Sequence, residues 1–130
     1  MVRPGLALAG TATLLAVVDL THKADAHAEY LHARSATYVV VVLGLSVVWT
    51  AAILATRSVA MAVGGGAVLG GAAGNLVSLA FWRGVPNPIE VAPIAFNLAD
   101  VFVLGGFVTV AGATLALLCG DRDRLVRPVR

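Results

Sequence analysis

Charge is what this sequence has least of. Among 130 residues there are 9 Lys or Arg and 7 Asp or Glu, a 12% share against 59% hydrophobic. A globular domain carries about twice that charge. The chain is long enough for one domain but cannot clothe it in a water-soluble surface. Its formal net charge of +2 is small and scattered, which excludes nucleic acid as the expected partner. Cysteine is nearly absent too. Cys119 stands alone, so an intrachain disulfide and a Cys-based zinc cluster are both excluded. No cofactor or metal is expected.

What is present is apolar and long. Four stretches stand out: Leu6–Leu20, Thr37–Thr56, Ser58–Phe81 and Ala95–Cys119. Twenty helical residues at about 1.5 Å each cross the roughly 30 Å of bilayer hydrocarbon. The expected fold is an all-α membrane protein, one domain over residues 1–130. Four transmembrane helices are joined by short extra-cytoplasmic loops and followed by a cytoplasmic tail, 120–130. The first stretch is short, and with Arg3 and Ala26-His27-Ala28 it imitates a cleavable secretory signal. Asp19 and Lys23 argue against cleavage, because they charge the region a signal peptidase would need clear. Arg3, Arg57, Arg122, Arg124, Arg127 and Arg130 would share one side, with Lys23, Arg34 and Arg83 on the other. The positive-inside rule then puts both termini in the cytoplasm.

The third stretch holds Gly66, Gly70 and Gly74 at four-residue spacing. One helix face is therefore nearly bare backbone, which lets another helix approach closely. A nucleotide-binding glycine loop would need a preceding strand and a water-facing phosphate site, and the sequence offers neither.

Polar groups inside these stretches are costly and are functional candidates by default. They are Asp19, Asn75, Asn97 and Asp100. Asn97 and Asp100 are three apart, so on a helix they would share a face. The plain alternatives are a helix cap for Asp100 and a packing amide for Asn75. Pro86, Pro88 and Pro93 forbid a regular helix between the third and fourth stretches. A stiff connector is expected there, between Asn75 and Asp100. His22, His27 and His32 recur at five-residue intervals, which is too open a spacing for metal and reads as a solvated loop.

Gly70-Gly71-Ala72-Ala73-Gly74-Asn75-Leu76, followed by Phe96-Asn97-Leu98-Ala99-Asp100, resembles the lipoprotein signal peptidases, or signal peptidase II. Asp19 and Lys23 are similar to that family's Asp-Gln-x-(Ser/Thr)-Lys element, with Leu20 and His22 at its middle positions. The resemblance implies a bacterial plasma-membrane aspartic endopeptidase with four transmembrane helices. Such an enzyme cuts a prolipoprotein signal peptide just before a lipid-modified cysteine. It implies two aspartates sharing a water, one as base and one as acid. Close carboxyls cannot both ionise cheaply, so one keeps a proton and the pair can do both jobs.

Asp100 matches the aspartate on the fourth helix. The second aspartate's place is held by Asn87, or by Pro88 if the alignment is anchored on Gly84. Glu90, three residues on, is the possible substitute. The resemblance makes Asn75, Asn97, Asp19 and Lys23 substrate-binding candidates. Two further departures are Ser78-Leu79, where the family has Asp-Arg, and the missing Asn-x-Gly-x-Ala-Phe element in Thr21–Ala36.

Three functions follow. One is a divergent signal peptidase II-like endopeptidase that still cleaves, using Asp100 with Glu90 or with a water held by Asn87, and that is inactive if neither replaces the missing aspartate. Another is a non-catalytic relative that binds lipoprotein signal peptides or another transmembrane helix. The third is a small transporter or proton carrier centred on Asp100, although a transporter's carboxyl belongs near mid-membrane. Membrane lipids are partners in every case.

Overall fold

The computed structural model describes residues 3–26 and 30–120. His27, most of the Ala26-His27-Ala28 motif and the tail from Asp121 lie outside the described residues.

Four helices carry the chain: α1 (Pro4–Asp25), α2 (Ala36–Ala55), α3 (Val59–Trp82) and α4 (Leu98–Gly120). All four are long and apolar enough to cross a membrane. Each start has a local cause. Pro4, whose missing N–H is no loss in a first turn, opens α1. Ser35 and Ser58 cap α2 and α3 by accepting the N–H groups of Tyr38 and Met61. At the far end of α3, Arg83 turns left-handed at φ 56° and stops the helix.

Two boundaries differ from the sequence expectation, and both matter. Helix α1 does not end at Leu20 but runs to Asp25. Thr21, His22 and Lys23 are therefore helical rather than loop, and Asp19 and Lys23 stand one turn apart on one face. The fourth helix does not begin at Ala95. Ile94–Phe96 is a strand, β4, and Asn97 precedes the helix. Asn97 and Asp100 thus do not share a helix face. They exchange capping bonds instead.

The connectors are also more ordered than plain loops. Strand β1 (Tyr30–His32) pairs antiparallel with β2 (Val85–Asn87), setting His32 opposite Val85 and Tyr30 opposite Asn87. Strand β3 (Ile89–Val91) pairs with β4, setting Glu90 opposite Ala95. Pro86 cannot donate to a ladder and is tolerated because a two-stranded pair consists only of edges.

Helix α3 is the hub. Helices α1 and α4 pack closely on it, and α2 leans on it more loosely. The glycines explain the closeness. A Cβ on Gly66 would meet the Leu8 carbonyl at 2.6 Å, and one on Gly70 the Ala12 carbonyl at 2.8 Å. Gly71 faces the Ala99 carbonyl, and Gly106 on α4 faces that of Gly64. Leu8, Ile53, Met61 and Ala62 form the buried apolar cluster at one end of the bundle. The other end is polar inside, with Asp19, Lys23, Asn75, Ser78, Asn87 and Asn97 all buried. Val40, Val47 and Val108 are exposed apolar side chains, as expected of a surface that meets lipid.

Candidate functional site

The polar end is built from three connected parts. The first is an ion pair. Lys23 Nζ lies 2.7 Å from Asp19 Oδ2, and neither side chain is exposed. The same ammonium donates to Asn75 Oδ1 at 2.7 Å and to Ser78 Oγ at 3.2 Å. Ser78 donates in turn to the Gly74 carbonyl at 2.6 Å. The other oxygen of Asp19 accepts the Ala99 N–H at 2.9 Å. One cluster thus ties α1, α3 and α4 together. Gly74 is required beside it, because a Cβ there would occupy the space of the Asp19 carboxylate.

The second part is the head of α4. Asp100 Oδ2 accepts the Asn97 N–H at 3.1 Å, and Asn97 Oδ1 accepts the Asp100 N–H at 3.2 Å. This reciprocal exchange is a capping box. Capping and catalysis were alternative readings of Asp100, and the carboxylate does cap. It is nevertheless exposed.

The third part holds the second-carboxylate position. Asn87 is only 4% exposed, and its amide is fully engaged. Nδ2 sits 2.8 Å from His32 Nδ1 and 3.2 Å from the Ala95 carbonyl. Oδ1 accepts from Asn97 Nδ2 at 2.7 Å, and that nitrogen also donates to the Pro86 carbonyl at 3.3 Å. Asn97 therefore joins Asn87 to Asp100. Pro88 is half-buried in the turn between β2 and β3. Glu90 is exposed on β3 and is not part of this network.

Asp100 and Asn75 open onto a groove of about 760 Å³ between α2, α3 and α4, otherwise almost wholly apolar. Tyr38, Ala72, Val103 and Phe107 line it. Trp49 and Phe107 meet edge to face with ring centroids 5.3 Å apart, and Trp49 Nε1 donates to the Gly65 carbonyl. The groove has the size and mostly apolar character of a ligand site with a few convergent polar groups.

The structure thus brings Asp19, Lys23 and Asn75 into one cluster and Asn87, Asn97 and Asp100 into another. Glu90 joins neither. Two contributors escaped the sequence reading. Ser78 was legible only as a departure from a motif, and His32 only as one of three spaced histidines. Pairing across 55 positions leaves no local signal for either.

Comparison with curated proteins and with solved structures returned no match. A family model described as Signal peptidase (SPase) II matches residues 11–116. That span contains both clusters and the groove, and the chain, a multi-pass membrane protein, belongs to that family.

Proposed function

We propose that this protein binds the signal-peptide segment of lipid-modified prolipoproteins in the groove between α2, α3 and α4, and that it does so without cleaving them. The carrying observation is Asn87: a buried carboxamide with its nitrogen and oxygen both committed to the protein, where the family's chemistry needs a second carboxyl. A carboxamide cannot exchange a proton as a carboxyl does. Loss of one general acid or base typically lowers the rate by about 10²–10⁴. Asp100 remains exposed beside Asn75 at the polar end of an apolar groove, an arrangement suited to an apolar helix with a polar junction.

The orientation that fits this reading puts both termini in the cytoplasm of a bacterial plasma membrane, with the strands and Asp100 outside. A transporter is less suited, because Asp100 sits in the first turn of α4 and not at mid-span. The competing reading is an enzyme that pairs Asp100 with Glu90. What favours it is that Asn87 donates to the carbonyl of Ala95, Glu90's register partner, which sets the β3–β4 pair beside the second-carboxyl position.

The test is a binding titration in detergent. A fluorescent, diacylglyceryl-modified prolipoprotein signal peptide should saturate the protein and be weakened by Asp100→Asn. The same peptide without its lipid should bind less well. Equal binding by a scrambled apolar helix would refute the reading.

A further inference from the structure

The amide orientations around Asn87 are fixed by their neighbours. Asn97 must turn its nitrogen toward the Pro86 carbonyl and its oxygen toward the Asp100 N–H. Reversed, it would set oxygen against oxygen and N–H against N–H. That nitrogen points at Asn87 Oδ1, so Asn87 turns its own nitrogen to the Ala95 carbonyl and to His32. A donor therefore faces His32 Nδ1. The ring can close this contact only with Nδ1 bare, as the neutral tautomer with its proton on Nε2.

We infer that His32 is a positioning residue whose neutral ring latches β1 onto Asn87, so that protonation of the ring releases the latch and loosens the Asn87–Asn97–Asp100 chain. A second proton would place an N–H on Nδ1, directly against the Asn87 N–H. Asn87 cannot answer by flipping, because a flip would break its bonds to Asn97 and Ala95 together. The exposed ring can instead swing into water. Few charges compete for it. Strand β2 faces it with Val85 and Asn87. The charged side chains nearest along the neighbouring segments are Arg34, whose guanidinium lies over Tyr38, Arg83 just before β2, and Glu90 on β3. Among the described residues no carboxylate is within ion-pair distance of the ring. The device follows from geometry alone and does not depend on whether the groove takes a signal peptide.

The test is nitrogen NMR of the full-length protein in micelles, from about pH 8 down to about pH 5, the range in which histidines usually change charge. At the upper end the His32 ring should show a bare Nδ1 and a protonated Nε2. On acidification the side-chain amide signals of Asn87 and Asn97 should move together with the ring signals. His32→Asn keeps an acceptor near the Nδ1 position but does not titrate, so its Asn87 and Asn97 signals should hold their high-pH positions throughout. Asn87→Asp should abolish the release, because a carboxylate accepts an Nδ1 proton from the neutral ring, in its other tautomer, as well as from the charged one. A ring carrying its proton on Nδ1 at high pH, or Asn87 and Asn97 signals that ignore ring protonation, would overturn the inference. So would a pH response that persists in His32→Asn.

Discussion

Asp19 on α1 accepts the backbone N–H of Ala99 on α4 at 2.9 Å, and so anchors the residue adjoining Asp100. The bond spans 80 positions of sequence. It satisfies one of the N–H groups that a helix start leaves without a partner. The carboxylate that does this is itself neutralised by Lys23, so helix anchoring and charge balance reside in one group.

Breaking that pair from one side should be expensive. Asp19→Asn can keep the bond to Ala99 but leaves the Lys23 ammonium buried without its counter-charge, at a predicted loss of about 3–5 kcal/mol. Adding Lys23→Met should restore part of it. Thermal unfolding in detergent, followed by circular dichroism, checks both. A double variant no more stable than Asp19→Asn would contradict the prediction.

The helix contacts predict a sharp contrast between glycines. Gly71→Ala would drive a methyl group into the Ala99 carbonyl, whereas Gly105→Ala meets nothing within 4 Å. The first should destabilise by about 1–3 kcal/mol, in the range of overpacked cores. The second should be neutral or slightly stabilising, since alanine favours helix over glycine by about 1 kcal/mol. Equal unfolding temperatures for the two variants would count against the packing described.

Groove occupancy is separable from stability. Ala72 lines the groove, so Ala72→Trp should fill it without unfolding the bundle. Signal-peptide affinity is predicted to fall at least about tenfold, or 1.4 kcal/mol. Unchanged affinity in a folded variant would place the peptide elsewhere.

The architecture was largely written in local sequence. Four apolar runs of spanning length announced four helices, and glycines four apart announced a close helix contact on α3. Asp100 and Asn97 were legible because a carboxyl and an amide beside an apolar run have few inexpensive explanations. The head of α4 was less clear. Ile94–Phe96 is apolar enough to read as helix, and only its pairing with Ile89–Val91 makes it a strand. The length of α1 was obscured in the opposite sense. Thr21–Asp25 is polar enough to read as loop, yet Lys23 finds Asp19, Asn75 and Ser78 inside the bundle. His32 stood out only as one of three spaced histidines, and its role was hidden because its partner lies on another strand.

The most direct test of the account is cleavage of a diacylglyceryl-modified prolipoprotein by the purified protein, beside Asn87→Asp, Glu90→Gln and Asp100→Asn. The wild-type chain and Glu90→Gln should bind precursor and leave it intact. Asn87→Asp should gain cleavage, by about 10²–10⁴ over the wild-type background, and lose it again when combined with Asp100→Asn. Wild-type cleavage that disappears in Glu90→Gln would contradict the account and assign the second carboxyl to Glu90.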